Sequence, residues 1–105
     1  CKPEIVAEAR PIILETPPEA LIHGLVALAT RTDTTDALGS ITVPTRVLVG
    51  DEDAITPPEV ARKLASSIAQ ADVHEVLRAG HLSNLEAPEA FDALLVEHVT
   101  RVFSA

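Results

Sequence analysis

The chain has 105 residues, 47% of them hydrophobic and 23% charged, and carries a net charge of −8. That length sets one domain and that apolar content excludes a disordered chain, while eight Lys and Arg against sixteen Asp and Glu argue against a nucleic-acid backbone or an anionic bilayer as partner. With aromatics at 2%, the core has to be built from Ala, Val, Leu and Ile, which suits a share in a larger core better than a small independent one.

Cys1 heads the chain in place of Met, and the expectation is an amino terminus made by processing or cleavage. As the one cysteine it cannot close an internal disulfide, and Lys2-Pro3 beside it cannot form the strained turn that a nucleophilic thiolate needs. No signal peptide and no apolar run of membrane-spanning length is present, so the expected location is cytoplasmic. Residues 3 to 15 and 18 to 31 each open on prolines that suit a first helical turn. Apolar positions then recur at helical spacing: Ile5, Val6, Ala9 and Ile13 in the first, Leu21, Ile22, Leu25, Val26, Leu28 and Ala29 in the second. Pro11 should break or kink the first helix and Gly24 weaken the second. The polar stretch 31 to 36 reads as a hinge, followed by a single turn at 37 to 39.

From Ile41 the pattern becomes β-branched. Val47, Leu48 and Val49 are apolar in succession rather than in alternation, as in a parallel strand covered on both faces, and Gly50 ends it. Thr56-Pro57-Pro58-Glu59 reads as a capping box, with Thr56 as N-cap, opening a helix whose stripe is Val60, Ala61, Leu64, Ala65 and Ile68. A second strand, 73 to 78, makes with it one right-handed strand-helix-strand crossover. A last helix runs from about Pro88 to Phe103, with Phe91, Leu94, Leu95, Val99 and Val102 facing inward. The class is α/β. Two parallel strands leave a hydrogen-bonding edge exposed, and stability asks for further strands from elsewhere.

Ligands and catalytic groups in such sheets gather beyond the carboxyl ends of the strands. Asp53 and His81 both fall there, 28 residues apart, the length of one crossover. A carboxylate that accepts a hydrogen bond from one imidazole nitrogen fixes the tautomer, so the other nitrogen can take a proton from a hydroxyl. A nucleophile is the remaining requirement, and no Gly-x-Ser-x-Gly or Gly-x-Cys-x-Gly turn occurs in the sequence. Asp51 and Glu52 read as solvated turn residues. With no second cluster of oxygen ligands, the three adjacent acids do not make a metal site, and no cofactor is expected. His23, His74 and His98 have no partner at useful spacing and read as surface or boundary residues. Glu86 reads as a brace for the loop or for the start of the last helix, with a supporting role toward His81 as the alternative.

The segments Val43-Pro44-Thr45-Arg46-Val47-Leu48-Val49-Gly50-Asp51-Glu52-Asp53-Ala54-Ile55-Thr56-Pro57-Pro58 and Ala79-Gly80-His81-Leu82-Ser83-Asn84-Leu85-Glu86-Ala87-Pro88-Glu89-Ala90-Phe91 closely resemble the carboxyl-terminal third of α/β-hydrolase fold enzymes. The resemblance is strong over 41 to 103 and looser over 1 to 40. It implies that Asp53 is the acid and His81 the histidine of a catalytic triad whose nucleophile lies upstream of Cys1, since the family's order is nucleophile, acid, histidine. It also implies that residues 1 to 40 are the end of a cap and residues 41 to 105 the end of the hydrolase core. The Thr16-Pro17-Pro18-Glu19 segment and the Gly80-His81-Leu82-Ser83-Asn84-Leu85-Glu86 loop look most like the esterase and 3-oxoadipate enol-lactonase branch.

The expectation is therefore a fragment of a serine hydrolase acting on a small-molecule ester or lactone, completed by the missing amino-terminal part of its core and inactive alone. The competing reading is a non-catalytic pairing or assembly module derived from the same tail, which would cover its exposed edge by homodimerisation or domain swapping.

Overall fold

The computed structural model describes residues 2–104. Helices α1 (Pro3–Glu15) and α2 (Pro18–Thr30) lead through a 3₁₀ turn, Thr35–Ser40, to strand β1 (Thr45–Gly50), helix α3 (Pro58–Ser66) and strand β2 (Ala71–Val76). A one-turn helix, α4 (Ser83–Glu86), and the long α5 (Pro88–Phe103) complete the chain. Two compact units result, dividing after residue 34.

The first unit is α1 and α2. Both begin on proline, whose fixed φ suits the first turn and whose missing N–H is one of the donors a helix leaves unpaired there. Of the break or kink expected at Pro11, the break does not occur: α1 runs on through it. Pro11 and Ala7, the residue whose carbonyl loses its donor, are both exposed, so water can satisfy the freed oxygen. Ile5 alone is buried in α1 and no residue is buried in α2, while Ile12, Leu14, Leu25 and Leu28 are each more than 60% exposed.

The second unit is α/β, as the sequence implied. β1 and β2 pair in parallel, from Thr45 opposite Ala71 to Gly50 opposite Val76. β2 thus starts and ends two residues earlier than its apolar pattern suggests. Arg78 takes a left-handed conformation, φ 57°, which no strand can propagate, and Leu77 is solvent-exposed in the turn before it. The core is small-chained: Val49, Val76 and Ala79 are buried, as are Ala61, Ala65 and Ile68, three of the five stripe residues expected to turn inward. Val60 and Leu64 of the same stripe stay exposed. Val47 and Leu48 are half-buried, so β1 is less covered than a central parallel strand. On α5, Phe91, Leu94 and Val102 are half-buried, but Leu95 and Val99 remain exposed.

At the amino-terminal end of the sheet Arg46, whose side chain is 4% exposed, presents its fork to Asp72, with Nε to Oδ1 at 2.9 Å and Nη2 to Oδ2 at 3.0 Å. Its other nitrogen reaches the Leu94 carbonyl at 3.0 Å and Glu97 at 3.1 Å. Arg101 of α5 adds a further donor to Asp72 Oδ2 at 3.0 Å. One buried cation therefore joins β1, β2 and α5, in the bidentate geometry that makes Arg the residue for this task. This fork, foremost, holds Asp72 well below the usual carboxylate range against the opposing effect of burial, and Arg101 contributes in the same sense. On the α3 side, Arg62 pairs with Glu75 of β2.

Candidate active site

The strand ends are joined by backbone before any side chain is considered. Asp51 N–H donates to the Val76 carbonyl at 3.1 Å, extending the ladder one step, and Glu52 N–H donates to the Ala79 carbonyl at 3.0 Å. Ala79 N–H returns a bond to Asp51 Oδ1 at 3.3 Å, so Asp51 bridges the two loops rather than only facing solvent. A tight turn, closed by Asp53 N–H to the Gly50 carbonyl at 3.2 Å, then carries Asp53 inward. Gly50 has no left-handed φ, so its need for glycine is one of space. A Cβ there would stand 2.2 Å from the Ala79 carbonyl oxygen and 2.3 Å from that of Gly80.

This framework brings Asp53 and His81 together: His81 Nδ1 lies 3.0 Å from Asp53 Oδ2. Asp53 is 6% exposed, whereas the His81 side chain is 48% exposed. Burial pushes the Asp53 carboxyl up, but four donors outweigh it. They are the Thr56 and Ile55 backbone N–H groups, each 2.9 Å from Oδ1, the His81 ring, and the Thr56 hydroxyl, 2.8 Å from Oδ2. Together they hold the carboxyl well below the usual range, as an ion. An anion beside Nδ1 favours the ring proton on that nitrogen, an arrangement in which the Nε2 lone pair is free to accept a proton. A cavity of about 270 Å³ opens beside the pair, between β1 and Val60, Ala61 and Leu64 of α3, with Asp53, Thr56 and His81 in its wall.

The loop that carries His81 is braced from below. Glu86, 5% exposed, accepts a bond from Leu82 N–H at 3.3 Å, and its carboxylate sits directly against Gly80. That is the loop-bracing role its position suggested. Ser83, also buried, belongs to α4, a turn too short to leave a periodic signal in the sequence.

Thr56 departs from expectation. Pro57, not Thr56, occupies the N-cap of α3 and no side chain caps that helix, because the Thr56 hydroxyl is committed to Asp53. Its spacing three residues after an aspartate was the available signal, since short polar side chains bond locally at that distance. Among the remaining histidines, His74 lies 3.7 Å from Asp72 and His98 3.2 Å from Arg101, both away from the Asp53–His81 pair. Cys1 lies outside the described residues. Among the described residues no cluster of three or more His, Cys, Asp or Glu is arranged to hold a metal ion, and no single helix is long and apolar enough to cross a membrane.

Comparison with known proteins gives this geometry a context. The alpha/beta hydrolase family matches residues 4–94. A solved thermophilic esterase from Thermogutta terrifontis superposes with a TM-score of 0.91 at 38% identity, covering 95% of this chain and 37% of the esterase. The chain is 34% identical to 3-oxoadipate enol-lactonase 1 of Acinetobacter baylyi over 79 residues, 75% of this chain and 29% of that protein. It is also 36% identical to a 2-hydroxy-6-oxononadienedioate/2-hydroxy-6-oxononatrienedioate hydrolase of Cupriavidus pinatubonensis over 66 residues, 63% of this chain and 23% of the relative. It thus spans between roughly a quarter and a third of the curated relatives it matches. A family match over most of the chain, together with so close a superposition on an esterase, means that this chain belongs to the alpha/beta hydrolase family.

Proposed function

We propose that the chain supplies the acid and the base of a Ser-Asp-His triad in a cytoplasmic hydrolase of carboxylic esters or lactones, and that the serine lies upstream of Cys1. The observation that carries this reading is the 3.0 Å bond between a buried, ionised Asp53 and a half-exposed His81 at adjacent strand ends. The absence of a nucleophile turn from these 105 residues supports the upstream placement, as does the chain's 37% coverage of the related esterase. Residues 1 to 40 are, in the same reading, the end of the cap and 41 to 105 the end of the core.

In the reaction, His81 Nδ1–H donates to Asp53 while Nε2 takes the proton of the serine hydroxyl as its oxygen attacks the substrate carbonyl. The imidazolium formed next to Asp53 is stabilised by that carboxylate and then protonates the leaving alkoxide. A purely structural pairing module would have no use for a desolvated carboxylate oriented on an exposed imidazole.

Hydrolysis of short-chain aryl esters and of an enol-lactone by the intact protein tests the proposal. Asp53→Asn and His81→Ala should each lower kcat by about 10³-fold or more with KM little changed. Full activity in both variants would overturn it.

A further inference from the structure

The Thr56 hydroxyl lies 2.8 Å from Asp53 Oδ2 and 3.3 Å from His81 Nδ1, so it touches both members of the pair. A threonine hydroxyl has one proton and two lone pairs. The shorter contact, to a carboxylate ion, takes the proton, which leaves only lone pairs facing the ring. Nδ1 must then carry hydrogen, shared between Asp53 Oδ2 at 3.0 Å and, more weakly, Thr56 Oγ1 at 3.3 Å. Were the proton on Nε2 instead, two sets of lone pairs would face the Nδ1 lone pair across hydrogen-bond distance.

The two carboxylate oxygens are held differently. Oδ1 accepts from the backbone N–H groups of Ile55 and Thr56, contacts that survive any side-chain exchange. Oδ2, the oxygen that faces the histidine, has the Thr56 hydroxyl as its second donor. We propose that Thr56 is a positioning residue for the Asp53–His81 pair, its hydroxyl anchoring the carboxylate oxygen that faces the ring and enforcing the Nδ1-protonated tautomer. The inference rests on the catalytic reading of that pair. It gives the hydroxyl of the Thr56-Pro57-Pro58-Glu59 segment a use that helix capping does not.

The test compares Thr56→Val, which keeps the shape and removes the hydroxyl, with Thr56→Ser, which restores it, in the intact protein. Losing one charge-assisted hydrogen bond should lower kcat about tenfold in Thr56→Val. KM should stay near wild type, and Thr56→Ser should recover most of the rate. A second readout is independent of turnover: the ¹⁵N shifts of the neutral His81 ring. These should report a protonated Nδ1 in the wild type and in Thr56→Ser, and move toward tautomer averaging in Thr56→Val. Wild-type kcat together with unchanged ring shifts in Thr56→Val, or a rate loss that serine does not rescue, would overturn the proposal. If Asp53→Asn and His81→Ala are fully active, the catalytic reading itself has failed, whatever the ring shifts show. If those two are inactive and Thr56→Val behaves as wild type, only the role of Thr56 is wrong.

Discussion

The most demanding constraint on the site is the absence of one methyl group, at Gly50. An alanine Cβ there would lie 2.2 Å from the Ala79 carbonyl oxygen, 2.3 Å from the Gly80 carbonyl oxygen and 2.7 Å from the Ala79 carbonyl carbon, where ordinary contact begins at 3.4 Å. All three atoms are backbone, and Ala79 is completely buried, so the strain cannot be relieved by rotating a side chain. The segment leading into His81 has to withdraw by about 1 Å. Withdrawal on that scale takes His81 Nδ1 from 3.0 Å to beyond hydrogen-bond reach of Asp53. It also strains the 3.0 Å bond from Glu52 N–H to the Ala79 carbonyl. A catalytic group displaced by 1 Å costs about 10²-fold in rate, or ~2.7 kcal/mol in the barrier. Overpacking should cost about 1–3 kcal/mol in stability besides. Gly50→Ala in the intact protein should therefore lose about two orders of magnitude in kcat/KM on an aryl ester, with a lowered melting temperature. Activity within about threefold of wild type would mean that the strand end and the histidine loop are not in the rigid contact described, and the argument would fail.

Arg46→Met keeps the aliphatic stem and removes the fork that joins β1, β2 and α5. Because Asp72 keeps Arg101 and is 31% exposed, the cost in chemical denaturation should be about 2 kcal/mol, below the range for a fully buried pair, with kcat unaltered because the site lies at the other end of the sheet. Acid should act through Asp53 and Asp72, both depressed in the folded state. The stability they contribute is complete above the unfolded value of about 3.9 and is lost as pH falls below it toward the folded values. Denaturation curves between about pH 2 and 7 should accordingly be flat above about pH 5 and fall below about 4, and Asp72→Asn should shallow the acid slope by up to one proton; an unchanged slope would exclude Asp72 as a contributor.

The elements were legible where local chemistry decides them. Proline starts and helical spacing place α1, α2, α3 and α5 within a residue or two, and the Asp53–His81 pairing follows from two strand ends one crossover apart. The misreadings occur where a tertiary partner decides. Ala71 and Asp72 carry too little apolar signal to open a strand, yet Asp72 stands in register opposite Arg46 and its carboxylate completes the Arg46 fork. Leu77 and Arg78 look like strand, but the left-handed Arg78 turns the chain toward the histidine loop. Thr56 has the form of a cap, and a neighbouring carboxylate outcompetes the helix for its hydroxyl. The apolar stripes of α2 and of parts of α5 mark surface that favours burial without stating what buries it.

Parallel pairing makes register decisive for the Asp53–His81 contact in this unit. Each residue advances a strand by about 3.3 Å, and a slip that preserves the facing of side chains moves β2 by about 6.6 Å, more than twice the separation of His81 from Asp53. Two features at opposite ends of the sheet oppose such a slip. The Arg46–Asp72 fork would break at one end. At the other, the Ala79 carbonyl would leave Glu52 N–H, and the loop would lose its fitted contact with Gly50. The contacts at the Gly50 end do not involve the fork, which is why removing the fork should lower stability and spare the rate. Gly50→Ala differs in kind, because it leaves the register intact and displaces the histidine directly. Arg46→Met should therefore lower stability and spare the rate, whereas Gly50→Ala should lower both, as expected of a sheet whose far end is held by charge and whose Asp53–His81 end is set by backbone contact.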